Sequence, residues 1–278
     1  MGSKAPTTPT PPWLRAEVIA PLSPHRRFQI AGDHDAACLK LGTFFPHPIS
    51  AKASAELAWQ DLKNASLDDG YDDGFENVFK THVQDQMQHH SMWPVYMYTS
   101  MSANIRFGEM VHPTAFSDFN LSHDINYVLG NCNFACLENY LAALLAALRN
   151  NRRRMRCDKV WRGMQICKEA FDDLKSYLPV GQTVAFPGLT STSQDEAIAR
   201  KYLQRGRSFY GLLLEIRMPT TAIDYDVYSV DHMSIWPEEK EVLVMPLVKM
   251  RVLSFDYVHD ILAHVKLVVE APSPLFER

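Results

Sequence analysis

The spacing of apolar residues changes character along this chain. Up to residue 150 they recur at three- and four-residue intervals, the mark of helices with one buried face. Ala55, Leu57, Ala58, Trp59 and Leu62 predict a helix over 50–63, with Ser50 as its N-cap. Phe75, Val78, Phe79, Val83 and Met87 predict a second helix over 75–88, and others are expected at 95–108, 118–130 and 137–150. Beyond residue 156 the rhythm is that of strands. Runs rich in Val, Leu, Ile and aromatics, punctuated by Pro187, Pro219 and Pro246, predict strands at 159–164, 182–186, 210–218, 239–245, 247–257 and 262–269. One helix, over 194–204, interrupts them. Helices first and strands later, without strict βαβ alternation, imply an α+β fold rather than a doubly wound sheet.

Residues 5–12 are prolines and threonines apart from Ala5, and proline supplies no donor, so 1–14 reads as an extended lead-in. No internal repeat divides the rest of the chain, and 15–278 is expected to form one unit. Asp68-Asp69-Gly70-Tyr71-Asp72-Asp73-Gly74 lacks the ordered acidic positions and final Glu of a calcium loop and reads as a turn between helices. Arg149, Arg152, Arg153, Arg154 and Arg156 crowd the end of the 137–150 helix, where cations favour its negative pole.

Composition narrows the class. The 278 residues carry 28 basic and 32 acidic side chains, a net charge of −4, which argues against a surface built throughout for nucleic acid. No apolar run approaches the ~18–20 residues of a membrane span; the nearest, 141–148, lies between Asn139 and Arg149 and reads as a buried helix. The chain opens without the basic and apolar segments of a signal peptide, so none is expected. Five cysteines, an odd number with no Cys-x-x-Cys pair, are expected as reduced, mostly buried thiols. Cys132 and Cys136 could share a helix face, but no His or acidic partner follows at ligand spacing, so packing is expected and no metal.

The common nucleotide, metalloprotease and hydrolase motifs are absent. Three short segments remain. Glu239 and Glu241 stand two apart at the start of a predicted strand, so both carboxylates are expected on one face. Such a pair fits a functional site, but taken alone it fits better an edge strand blunted by charge. Arg162, between Trp161 and Gly163 in an apolar strand, needs either a core carboxylate or an anionic ligand. Ser191-Thr192-Ser193 precedes Gln194-Asp195-Glu196, so one of the three is expected to cap the next helix.

Taken in order, these segments resemble the Arg–Ser–Glu constellation of mono-ADP-ribosyltransferases of the cholera-toxin-like type. Arg162-Gly163 resembles the family's arginine strand, Ser191-Thr192-Ser193 its Ser-Thr-Ser strand, and Glu239-Lys240-Glu241 its Glu-x-Glu strand, at spacings of 29 and 50 residues between Arg162, Ser191 and Glu241. The resemblance spans 96–269. The stretch with Tyr96, Tyr98, Asn104 and Arg106 is also similar to the region ahead of the core in bacterial effectors of the family, whereas the first ~90 residues resemble nothing named.

The resemblance implies a core of two packed, mostly antiparallel sheets over 95–270 with an N-terminal helical portion at 15–94. It implies NAD as cosubstrate, no metal, and transfer of ADP-ribose to a protein that presents an arginine. Glu241 would be the catalytic carboxylate, Glu239 would hold and deprotonate the acceptor guanidinium, and Ser191 would orient Glu241. Arg162 would clamp NAD, and Gly163 would let its backbone meet the nicotinamide amide. Thr192 and Ser193 would support the strand and, with Ser191 and Glu241, line the NAD site, Tyr202 would lie near the nicotinamide, and Arg205 near the pyrophosphate. Tyr228, His232 and Trp236 would contact the acceptor. Two other functions stay open, an NAD glycohydrolase and a catalytically silent binding module. No nucleic acid or membrane partner is expected, and the place of action implied is the cytoplasm of a target cell reached by a secreted effector.

Overall fold

In the computed structural model the residues described are 29–30, 55–65, 92–100, 125–126, 128–129, 134–153, 157–166, 168–203, 210–219, 221–234 and 236–276. The expected helix over 75–88, the 68–74 turn, Ser50, Cys38, Cys132, Cys167, Asn104, Arg106, Arg154, Arg156 and Arg205 lie outside them.

The expected helices appear as α1 (Ala55–Ala65), α2 (Trp93–Ser100) and α3 (Glu138–Asn150), α3 being preceded by a 3-10 turn over Phe134–Leu137. Residues 125–126 and 128–129 are also helical. Helix α3 is the hub, burying Tyr140, Leu141, Ala142, Leu144, Leu145, Ala147 and Leu148, so it is apolar around most of its circumference. Its own N-terminus lacks a side-chain cap, and Asp61 of α1 supplies one from outside. Asp61 Oδ2 accepts from the main-chain N–H of Asn139 at 2.7 Å and of Tyr140 at 3.1 Å. A carboxylate there satisfies orphan donors and meets the positive end of the helix dipole. At the other end Arg149 does more than favour the helix pole, reaching the buried carboxylate of Asp226 at 3.9 Å.

The strands are β1 (Gln29–Ile30), β2 (Lys159–Ile166), β3 (Thr183–Ala185), β4 (Thr190–Ser193), β5 (Tyr210–Arg217), β6 (Val227–Ser229), β7 (Glu241–Val244), β8 (Lys249–His259) and β9 (Leu262–Ala271). The α+β class and the mostly antiparallel arrangement are as expected: every neighbouring pair is antiparallel except β5 with β9. The two expected sheets form one hydrogen-bonded ladder in the order β1-β3-β8-β9-β5-β2-β4-β7-β6. They meet at β2 and β4, which share a single registered pair, Trp161 with Ser193. One hydrophobic cluster joins α1, α2 and α3 to the strands.

Helix α4 (Lys168–Tyr177) follows β2 where no element was expected, although Phe171 and Leu174, with Leu178 just past its end, form a buried helical stripe. Helix α5 (Glu196–Leu203) is the expected interruption. Its N-cap is Asp195, whose Oδ1 accepts from Ala197 N at 3.0 Å, rather than a member of Ser191-Thr192-Ser193, because those three lie within β4. Of the cysteines, Cys157 is partly buried but Cys136 is exposed, against expectation, since its place in the 3-10 turn faces away from the buried Phe134 and Leu137.

Helix α5 packs directly on β2. The contact requires a missing side chain: a Cβ on Gly163 would stand 1.9 Å from the carbonyl oxygen of Ala199. Gly163→Ala is therefore expected to lift α5 and destabilise the fold by about 2 kcal/mol, read as a lower urea midpoint. An unchanged midpoint would show that α5 is not seated on β2.

Candidate active site

Strand order turns distant segments into neighbours. Strand β4 lies between β2 and β7, so Arg162, Ser191 and Glu241 come from three adjacent strands. In the β4–β7 register Ser193 faces Glu241 and Ser191 faces Leu243. Cross-strand partners share a face and so do residues two apart, which puts both serine hydroxyls on the face of Glu241, with Ser191 on the diagonal. Strand β7 is flanked on both sides, by β4 and β6, so the blunted-edge reading of its acidic start does not hold.

Glu241 is 9% exposed and Arg162 is 8% exposed. Burial pushes the Glu241 carboxyl up to about 7, with the Glu239 charge adding to the rise, while a hydrogen bond from Ser191 and the Arg162 charge oppose it. The guanidinium feels the converse. Burial lowers it to about 10, against the pull of Tyr98, Glu241 and Tyr202, so it keeps its charge near neutrality. Arg162 Nη1 donates to the carbonyl of Ser191 at 3.0 Å, which ties the arginine to the strand whose hydroxyl meets the acid.

Behind Ser191 lies a layer of which only Tyr98 was named in the sequence, as part of the resemblance. The Tyr98 hydroxyl from α2 is 3.3 Å from Ser191 Oγ and accepts from Asn126 Nδ2 at 3.0 Å. Tyr98 and Asn126 are both buried, and burial raises the phenol above its ordinary range. Gly188 makes room for the amide, since a Cβ there would stand 2.5 Å from Asn126 Oδ1. The signal carried by the chain is polar residues placed among apolar helix positions, Tyr98 beside Met97 and Asn126 beside Ile125.

Glu239 departs from its expected geometry. It closes a 3-10 turn, Pro237–Glu239, and Lys240 follows with φ of 48°, so the two glutamates are not alternate residues of one strand. Their proximity comes from the turn, which is fastened at several points. Ser193 Oγ donates to Glu239 O at 2.6 Å, Gln194 N to Lys240 O at 3.1 Å, and Lys240 Nζ lies 3.2 Å from Asp195 Oδ2. The Glu239 side chain accepts from the Tyr202 hydroxyl at 3.1 Å, which places Tyr202 at the mouth of the same cluster.

The remaining expected residues divide. Thr192 and Ser193 spend their hydroxyls on the carbonyls of Val242 and Glu239. Gly163 is required by α5, whose backbone fills the space where a Cβ would project. Tyr228 is not an exposed contact: it lies in β6, 2% exposed, with its hydroxyl 3.4 Å from Asp226 Oδ1, because the β6 backbone pairs inward against β7. His232 is also turned inward. Its Nε2 lies 3.0 Å from the Asn151 carbonyl and its Nδ1 3.4 Å from Asp231 Oδ1, which occupies both ring nitrogens. Trp236 is partly buried and anchors the Glu239 turn, its carbonyl accepting from Glu239 N at 3.0 Å. Among the described residues no group of three or more His, Cys, Asp or Glu is arranged to hold a metal, and no helix is long and apolar enough to cross a membrane.

The chain as a whole matches a known family. The family model of NAD:arginine ADP-ribosyltransferases matches residues 68–271, and the chain belongs to that family. NAD is its substrate and transfer of ADP-ribose its reaction class. The match begins well before residue 96, so the family's extent includes part of the region in which no resemblance was legible. Among solved structures, the fold is similar to the ADP-ribosyltransferase HopU1 of Pseudomonas syringae pv. tomato DC3000, at 13% identity over 80% of this chain and 100% of that one, with a TM-score of 0.50. A looser likeness, with a TM-score of 0.48, is to the type III effector XopAI of Xanthomonas axonopodis pv. citri, at 11% identity over 86% of this chain and 97% of that one. No curated protein sequence matches the chain.

The Glu241 shift makes a stability prediction. An acid whose folded pKa lies above its unfolded value of 4.5 contributes stability that is complete below that value and is lost as pH rises through about 7. Glu241→Gln has no such titration. It is expected to gain on the wild type between about pH 5 and about pH 8, by a difference on the order of 3 kcal/mol at most. Urea melts at the two pH values test this, and a gap that does not widen with pH places Glu241 in contact with water.

Proposed function

We propose that this chain transfers ADP-ribose from NAD to an arginine side chain of a target protein, with Glu241 as the catalytic carboxylate and Glu239 as the acceptor's base. The observation that supports this most is the meeting of a buried arginine, a serine hydroxyl and two glutamates from separate segments around one point of the sheet. A dinucleotide pyrophosphate and a positively charged nicotinamide ribose are complementary to that set.

In the transfer, the bond from the ribose carbon to the nicotinamide nitrogen breaks, the electron pair leaves with nicotinamide, and positive charge develops on the ribose. Glu241 faces that charge and accepts from the ribose 2′-hydroxyl, the task a carboxylate performs in glycoside cleavage. The substrate's positive charge lowers the cost of ionising a buried acid, so NAD itself favours the working form of Glu241. Arg162 holds the phosphates or ribose. Glu239 then takes a proton from the acceptor guanidinium, whose nitrogen forms the new bond to the ribose carbon. Tyr202, already bonded to Glu239, lies where nicotinamide and acceptor meet. Arg205, as a contact of the pyrophosphate, and Trp236, as a contact of the acceptor, belong to the same proposal. So does action as a secreted effector inside a target cell, which rests on the sequence resemblance alone.

Labelled NAD incubated with the protein and a cell lysate tests the reading. Glu241→Gln is expected to lower both protein labelling and nicotinamide release by at least about 100-fold. Glu239→Gln is expected to remove labelling while most nicotinamide release remains, because water still reaches the ribose carbon. Mass spectrometry of the labelled protein should find the modification on arginine. Nicotinamide release with no labelled protein at all would make the chain a glycohydrolase, and no turnover of NAD would leave a binding module.

A further inference from the structure

We propose that Tyr98 is a positioning residue for Glu241 that acts through Ser191, with Asn126 holding the phenol in place. The inference rests on the assignment of Glu241 as the catalytic carboxylate and adds a layer behind it.

Hydrogen counting sets the direction of the chain. An ionised carboxylate accepts and cannot donate, so the single hydroxyl hydrogen of Ser191 goes to Glu241 when that acid is charged. Ser191 Oγ is then left as an acceptor, 3.3 Å from the Tyr98 hydroxyl. The phenol oxygen accepts from Asn126 Nδ2 at 3.0 Å, and its own hydrogen is directed to Ser191. Every donor points toward the carboxylate, from Asn126 to Tyr98 to Ser191 to Glu241. Each bond in such a row strengthens the next, more so away from water. Tyr98 is 2% exposed and Asn126 is 1% exposed, so solvent does not compete for the bond between them, while Ser191 is partly exposed.

The row answers a specific difficulty. A free serine hydroxyl has three staggered positions, and only those that aim its hydrogen at the acid support the charged form. Tyr98 selects among them by occupying the serine's lone pair. The other charged or titratable groups around Glu241 act from different elements: Arg162 from β2, which favours its ionisation, and Glu239 from the 3-10 turn, which opposes it. Tyr98 and Asn126 approach from the helical side, and neither need touch NAD.

Titration of Glu241 by carbon NMR, in protein labelled at the glutamate carboxyl, provides the test together with the kinetics. Tyr98→Phe keeps the ring and removes only the hydroxyl. It is expected to raise the Glu241 midpoint by about 0.5 pH and to shift the acid limb of the NAD turnover profile with it. It should lower kcat by about tenfold with KM for NAD changed by less than about twofold. In a Ser191→Ala background the same change is expected to do nothing further, which separates action through the serine from loss of packing. Asn126→Ala gives a second route to the same midpoint should Tyr98→Phe fold poorly. A Glu241 midpoint unmoved by either variant, or an equal shift with and without the Ser191 hydroxyl, overturns the proposal. Absence of NAD turnover by the wild type would instead overturn the assigned reaction, while the titration would still decide whether the row exists.

Discussion

A carboxyl group and a guanidinium share a nearly water-free site in this protein, and neither could stay charged there alone. Removing an ion from water costs several kcal/mol unless an opposite charge and hydrogen bonds replace its hydration. Glu241 and Arg162 meet that condition together, through each other, the Ser191 hydroxyl and the Ser191 carbonyl. The replacement is incomplete for the acid, which remains well above the ordinary range for a glutamate. What would complete the compensation is further positive charge beside the carboxyl.

The surrounding architecture maintains this balance. Strand β4 carries no ligand-sized side chain, yet it joins the two ends of the site, since its carbonyl holds the arginine and its hydroxyls hold β7 and the turn before it. Helix α5 fixes the other side. It can sit close to β2 only because residue 163 has no side chain, and it presents Asp195 to Lys240 and Tyr202 to Glu239. The left-handed backbone at Lys240 turns its ammonium toward Asp195, so the lysine between the two acids is engaged by the helix terminus. The helices ahead of the sheet contribute as well, because α2 carries Tyr98 and packs on α3, whose terminus is capped from α1.

The fold class was readable because burial repeats at 2 along strands as long as β2 and β9, while β5, buried at six consecutive positions, and α3 stand out as apolar runs. Short elements escaped. Strand β6 has three residues and owes its existence to pairing with β7, and α4 shows only a narrow apolar stripe. Arg162, Ser191, Glu239 and Glu241 were legible as residue types that are costly or unusual in their local setting, and their order carried the family resemblance. Tyr228 and His232 were expected at the acceptor, but the inward turn of both side chains, toward Asp226 and the end of α3, comes from long-range pairing that local pattern does not show.

What the amino-acid order determined unaided was the longer elements and the candidate acids, arginine and serine, since those follow from local pattern and the chemistry of single side chains. The chain alone could not say that β4 would come to lie between β2 and β7, because strand neighbours are chosen by the packing of the whole sheet. Nor could it say that Glu239 would leave the strand, which depends on fastenings to Ser193, Gln194 and Asp195 in a segment far earlier in the chain. Tyr98 and Asn126 gained their place at Ser191 only when the helices closed over the sheet. Contacts over such separations are decided by tertiary structure, where the loss of water around Glu241 also sets the strength of every charge nearby.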